Sequence, residues 1–212
     1  MYKHKDGISF RKIEEHDLER LLTLKQESWW GTHKTLFLNM DDQKKWYETI
    51  PSNELYLIGY IGQNNTDVIT STFPIGVAVY TDIDWISRSL KISGSIYRDY
   101  RSETSNKAAF AGGLDFAFEI LNMQRVEAEV IQYHVAAQKL EIDYLGFKVE
   151  GIKRKAVYKS GVYYDSIILG LLRDEWEKQD RVLAYGGSCN RNIDHVQAAK
   201  LINRFSPKHR VA

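Results

Sequence analysis

The stretch from Ser89 to Tyr97, SLKISGSIY, alternates without interruption, runs into YRDYRSETSNK, and continues as AAFAGGLDFAFEIL. Leu90, Ile92, Gly94 and Ile96 point one way and Lys91, Ser93, Ser95 and Tyr97 the other, the period of a strand with one buried face. Phe110, Leu114, Ala117 and Leu121 then recur at helical spacing, with Phe118 widening the stripe, so a helix is expected from about Lys107 to Leu121. A strand feeding a helix through a short turn commits the chain to a layered α/β fold. The turn lies at a helix N-terminus, where free amides and the helix dipole favour an anion. It contains no glycine, whereas Gly112-Gly113 lies inside the helix. Each of those glycines costs about 1 kcal/mol relative to alanine there, so the pair is expected to bring the helix close against the sheet.

The same reading extends along the chain. ISFRK is a short strand, Asp17 is expected to cap a helix carrying Leu18, Leu21, Leu22 and Leu24, and NMDDQKKWYETI is a second helix. ELYLIGYIG and PIGVAVYTDID are strands joined through QNNTD. RVEAEVI is a strand, VAAQKLEIDYLGF a helix stopped by Gly146, and FKVEGIKRKAVYKSGVYYDSIILGLL a long hairpin turning at KSG. The order is strands, then β-α-β-α-β-β, a mixed α/β sheet with helices on its faces. A first domain is expected over 1–176. After Trp176 the chain turns polar, with Gly186-Gly187 as a linker signal, a short helix near 192–205 and a basic tail. The extension over 177–212 either docks on its own domain or contacts a partner, a homodimer among the possibilities.

Composition narrows the function classes. The formal net charge of +1 over 212 residues gives no global case for nucleic acid or an anionic membrane. One cysteine, Cys189, excludes an internal disulfide and a cysteine-rich zinc site, and no metal site is expected. The N-terminus lacks the apolar core of a signal peptide and no apolar run is long enough to span a bilayer, so a cytoplasmic location is expected.

From Phe116 to Trp176 the segments DFAFEILNMQRVEAEV, YLGFKVEGIKRKAVYKSGVYYD and LLRDEW resemble the GNAT superfamily of acetyl-CoA-dependent N-acetyltransferases, nearest to its RimJ/RimL-like group. ISFRKIEEHDLERLL and PIGVAVYTDIDWISRSLKI also fit, so the resemblance covers about residues 8–176. It implies a central, mostly antiparallel sheet with one splayed strand pair. Acetyl-CoA would lie in the splay as cosubstrate, its pyrophosphate on the turn before the helix, and an amine would attack the thioester directly.

Carried over by position, the resemblance places Arg101 first in the pyrophosphate turn. Ser102, Thr104 and Asn106 stand where small residues or glycines are usual, and Glu103 brings a negative charge. Ile96, Tyr97, Arg101, Ser102, Glu103, Thr104, Ser105 and Asn106 are therefore the candidate cofactor residues, with His134 and Gln138 near the next helix. Val135 occupies the family's usual asparagine position and Ile142 the position of a common tyrosine acid. Tyr144, two residues on, is either a displaced acid or a packing residue. Ser93 and Ser95 either carry the amine's proton through a water chain or form a polar sheet face. Trp30, His33 and Asp165 are candidate acceptor-side residues; Asp82 and Asp84 read as turn residues, and Glu150 matches another common family residue. The reading is an acyltransferase that acetylates a protein N-terminus, an amino sugar or another small amine. The alternative is a GNAT-fold binding or assembly protein that has lost acetyl-CoA.

Overall fold

The computed structural model describes residues 2–3, 8–33, 39–61 and 74–179. Eight strands form one sheet: β1 (Tyr2–Lys3), β2 (Ile8–Lys12), β3 (Leu55–Ile61), β4 (Gly76–Asp84), β5 (Ser89–Ile96), β6 (Arg125–Ile131), β7 (Lys148–Lys159) and β8 (Val162–Leu172), in the order β1-β2-β3-β4-β5-β6-β8-β7. All neighbours are antiparallel except β5 and β6. That parallel pair is joined through a helix, and it holds register for three positions: Ser89 with Arg125, Leu90 with Val126 and Lys91 with Glu127. Beyond Lys91 and Glu127 the two strands part. Ile92–Ile96 remain bound to β4 and Ala128–Ile131 to β8, so each keeps one bonded edge and leaves the other facing the gap.

Helices cover both faces. α1 (Leu18–Ser28) and α2 (Met40–Glu48) pack on one, over Ile13, Leu18, Leu21, Tyr56 and Ile58. α3 (Glu103–Asp115) and α4 (Val135–Gln138) pack on the other, over the larger core around Tyr80, Leu114, Phe118, Val126 and Leu169. α5 (Arg173–Glu177) follows β8, and its Trp176 indole N–H donates to the buried Asp115 carboxylate at 2.6 Å. α3 and α4 each continue into a π-helical turn, Phe116–Ile120 and Lys139–Tyr144. The alternation of β5 is as expected: Leu90, Ile92 and Ile96 are buried toward α3, while Ser93 and Ser95 stand beside Val79 and Val77 on the α1 face.

Two local expectations are corrected. The expected start of α3 at Lys107 falls one turn late: the helix begins at Glu103, because the Ser102 hydroxyl accepts the Ser105 amide at 3.0 Å and caps it. Asp17 precedes α1 without capping it through its side chain. Its carboxylate instead takes the Glu14 amide at 2.8 Å and a bidentate Arg11 guanidinium at 2.7 Å. His134, at the end of β6, is also the N-cap of α4, its Nδ1 accepting the Ala137 amide at 3.3 Å. The QNNTD connection, and the linker, helix and tail expected from 180 onward, lie outside the described residues.

Candidate active site

Gly113 shows how the sheet and α3 are brought together. Its carbonyl accepts the hydroxyl of the fully buried Tyr80 at 2.9 Å, and a Cβ there would meet Ile92 Cδ1 at 3.4 Å. Gly113 thus seats the helix on β4 and β5. A narrow cleft between them is lined by Ile75, Ala78, Gly94, Ile96, Phe110 and Gly113. It lies on the α3 side of β5 and does not include the polar cluster described below.

The turn from Tyr97 to Asn106 folds without glycine because it needs no left-handed residue. Tyr97, Arg101 and Ser102 have φ of −58°, −71° and −143°, and none of the turn's residues has positive φ. The first intrahelical bond runs from the Asn106 amide to the Ser102 carbonyl at 2.9 Å. The amides of Ser102, Glu103 and Thr104 take no partner among the described residues, which leaves three donors at the start of a 13-residue helix. Glu103 does not oppose an anion there on its own: Lys107 binds its carboxylate and holds it below the usual carboxylate range. The Arg101 Nε donates to the Ile96 carbonyl at 2.8 Å and its terminal nitrogen reaches Ser28 Oγ at 3.3 Å. Thr104 is exposed, and Ser102 and Ser105 share a hydroxyl contact of 2.9 Å. Tyr97 points elsewhere: its phenol is buried near Arg20 and Asp17 without a partner among the described residues, and burial pushes it up to about 12.

On the α1 face, β6 carries Glu127 and Glu129 between the buried Val126, Ala128 and Val130. Glu129 lies beyond the point where β5 and β6 part. Lys153 Nζ donates to its Oε2 at 2.7 Å, and His33 Nε2 lies 3.6 Å from its Oε1. His33 Nε2 is 2.6 Å from Oγ of the fully buried Ser166. Burial alone would raise the Glu129 carboxyl, but Lys153, Ser166 and His33 outweigh it and hold it below the usual range. Burial pushes the His33 imidazole down, and Lys153 and Lys159 add to that, against the pull of Glu129. Near neutral pH the pair is therefore a carboxylate beside an uncharged imidazole.

The segment from Ser28 to His33 crosses this region and is held from several strands. Tyr133 donates its phenol hydrogen to the Trp30 carbonyl, Lys159 donates to the Trp29 carbonyl at 2.6 Å, and the His134 ring lies 4.6 Å from the Trp30 ring. Gly31 is required at its position, since a Cβ would meet the His134 ring at 2.9 Å.

The structure thus brings His33 and Trp30 to the splay, next to Ser166, Glu129 and Tyr133. It places other expected residues differently. Tyr144 packs on the α3 face with Lys107 Nζ 4.5 Å over its ring, across the sheet from Ser93 and Ser95. Asp165, expected on the acceptor side, accepts the Lys155 amide at 2.8 Å and braces the bulge of β7 where Lys155 has φ of 53°. Alternation along β8 puts it on the face opposite Ser166. Gln138 spends its amide on the Gln132 carbonyl at 2.6 Å, closing the turn between β6 and α4. Glu150 is bound by Arg125. Ile142 is 6% exposed, a hydrocarbon where the family resemblance has its tyrosine acid. Glu129 and Ser166 were missing from the sequence reading, although two glutamates alternating with buried residues in a central strand mark a face that needs polar company.

The fold is a mixed sheet whose two central strands part, with open helix amides at one end of the gap and a carboxylate–imidazole pair on its flank, and its class is that of an acyltransferase. The sequence over residues 8–147 matches the family described as the acetyltransferase (GNAT) domain, and the chain belongs to that family. It is an N-acetyltransferase of GNAT fold. It is 25% identical over 174 residues to the SPbeta prophage-derived uncharacterized N-acetyltransferase YokL of Bacillus subtilis, covering 81% of this chain and 93% of that one. YdaF of the same organism, provisionally named a ribosomal N-acetyltransferase, is 25% identical over 179 residues, covering 82% and 96%. The spermidine N-acetyltransferase of Vibrio cholerae, solved with CoA and spermine, superposes with a TM-score of 0.71 at 19% identity, covering 82% of this chain and 99% of that one. At that identity the likeness concerns the fold. Among the described residues no helix is long and apolar enough to cross a membrane, and no group of three or more His, Cys, Asp or Glu is placed to hold a metal.

Proposed function

We propose that this acetyltransferase moves the acetyl group of acetyl-CoA to a primary amine by direct attack, with the pyrophosphate on the start of α3 and the amine entering from the α1 face. The observation that carries the reading is the parting of β5 and β6 beyond Lys91 and Glu127 beside the unpartnered amides of Ser102, Glu103 and Thr104. The absence of glycine from the turn does not count against binding, since the backbone conformation there is open to any residue. Acetyl-CoA supplies the thioester carbonyl; the amine nitrogen bonds to it, the carbon–sulfur bond breaks, and CoA leaves as the thiol once protonated.

The chain's own residues hold and deprotonate the amine. With the Ser166 hydroxyl turned toward Glu129 and away from the Val130 carbonyl 3.5 Å off, its oxygen accepts from His33 Nε2–H, and the other ring nitrogen keeps its lone pair. His33, uncharged because it is buried, takes the ammonium proton, and Glu129 steadies the imidazolium that forms. Ser93 and Ser95, on the same face of β5, offer hydroxyls to waters on that path. The test is release of free CoA thiol from acetyl-CoA with a panel of primary amines. Amine-dependent release, reduced about a hundredfold or more in His33→Gln, is expected. Release that no amine accelerates would overturn the reading.

The RimJ/RimL-like resemblance and the YdaF similarity favour a protein N-terminus as acceptor. The binding or assembly alternative predicts no heat on titration with acetyl-CoA.

A further inference from the structure

Cross-strand pairing puts Glu129, Ser166, Lys153 and Lys159 on one face of the sheet, with Tyr164 between them on β8. Ser166 pairs with Ile131 and Lys153, Tyr164 with Val157, and Val162 with Lys159, and partners across a ladder share a face. This is the face that carries His33. The charges on it do not balance. β4 to β8 bear six carboxylates, and each has a partner. Asp82 holds Lys91, and Asp84 takes the amides of Ile86 and Ser87. Glu127 and Glu150 hold Arg125, Glu129 holds Lys153, and Asp165 holds the Lys155 amide.

Lys159 has no carboxylate among the described residues. Its Nζ donates to the Trp29 carbonyl at 2.6 Å and sits 4.8 Å over the Trp29 ring, which uses one of three N–H bonds. It is partly buried with no counter-charge among the described residues, and that burial pushes the ammonium down.

Such a face repels a polycation. A second ammonium on an acceptor would find no open carboxylate on β4 to β8, and would meet the Lys159 cation instead. We infer that the acceptor of this enzyme is an amine that also carries an anionic group, and that Lys159, above Trp29 at the mouth of the His33 cluster, binds that anion. The inference rests on the acetyl-transfer reading above. A free carboxylate and a phosphate both fit the remaining N–H bonds of one lysine. Lys159 is a specificity residue in this scheme and takes no part in the proton transfer.

The experiment compares kcat/KM for matched acceptors, with spermidine as the polycation. One pair is an amino sugar and its 6-phosphate; the other is a peptide with asparagine or aspartate at its second position. A preference of about tenfold for the anionic member of at least one pair is expected, with spermidine slowest. The pair that responds identifies phosphate or carboxylate. In Lys159→Met the anionic-to-neutral ratio should fall toward one, whatever happens to the rate on the neutral amine; in Lys159→Arg it should survive. In Lys159→Glu the order should reverse. A purely structural Lys159 would change both members of a pair alike and leave the ratio intact, and that result overturns the inference. So does spermidine as the best acceptor, or equal rates within both pairs. In each of those cases acetyl transfer itself still stands. Absence of thiol release with every amine removes the reading and the inference together.

Discussion

His33 Nε2 lies 2.6 Å from Ser166 Oγ, although 133 residues separate them, and that contact fixes the imidazole beside Glu129. Removing the hydroxyl leaves His33 in place but frees its ring. Ser166→Ala is expected to lower kcat by about tenfold, and Glu129→Gln by about the same or more, with little change in KM for acetyl-CoA. Steady-state kinetics with acetyl-CoA varied at fixed amine measures both terms. A change confined to KM would place Ser166 outside the proton path.

The pH dependence follows from His33. Burial depresses its pKa below the ordinary histidine range, so it is uncharged at neutral pH and protonates only as pH falls below that range. Activity should decline on the acid side, with an apparent pKa below 6.5. His33→Gln should remove that limb along with most of the rate. A limb of unchanged position in the variant would assign it to another group.

Glu103→Pro isolates one backbone donor. Glu103 is the first helical residue, where proline is tolerated, and Ser102 before it is extended, as a residue preceding proline prefers to be. The substitution deletes an amide hydrogen at the proposed anion site without disturbing the helix. Affinity for CoA should drop about tenfold while the melting temperature holds within a few degrees; Glu103→Gln, which keeps the amide, should bind as the parent does. Calorimetry and thermal denaturation on the three proteins decide it.

Glu141 provides a stability test away from the site. Its Oε2 is cut off from solvent without a partner among the described residues, and burial pushes the carboxyl up to about 8. The residue as a whole is only half-buried; the oxygen's isolation is what counts. A raised carboxyl pKa means stability is fullest below the unfolded value, near 4.5, and is lost as pH rises toward 8. Glu141→Leu should gain about 1–3 kcal/mol at pH 8, several degrees in melting temperature, and little or nothing at pH 5. An equal gain at both pH values would point to packing instead of charge.

Much of this was legible in the residues. The alternation of Leu90, Ile92, Gly94 and Ile96 marks β5 and its buried face, and of the Gly112-Gly113 pair Gly113 marks the close approach of α3. The start of α3 was misplaced because a serine cap and an acidic first turn read as loop when no apolar stripe runs through them. Tyr144 and Asp165 were drawn to the site by position in a family pattern, yet side-chain direction put one under Lys107 and the other at the bulge of β7. The His33–Ser166–Glu129 cluster was only partly visible. It joins a segment after α1 to two central strands, and such a contact is set by the sheet order, which no local period encodes.

Gly113 offers a test of that packing. A Cβ would sit 3.4 Å from Ile92 Cδ1 and 3.5 Å from Tyr80 Oη, tight but passable, while the helix gains by losing a glycine. Gly113→Ala should therefore change stability by less than about 1 kcal/mol, and Gly113→Leu should cost about 2 kcal/mol or more by lifting α3 from the sheet. Chemical denaturation of both variants reads the difference.

The central claim is that the parted strands and the glycine-free turn still hold acetyl-CoA. Isothermal titration of the full chain with acetyl-CoA tests it most directly. Saturable binding of one equivalent in the micromolar range, weakened in Glu103→Pro and retained in Glu103→Gln, is expected; no detectable heat at millimolar acetyl-CoA would contradict it.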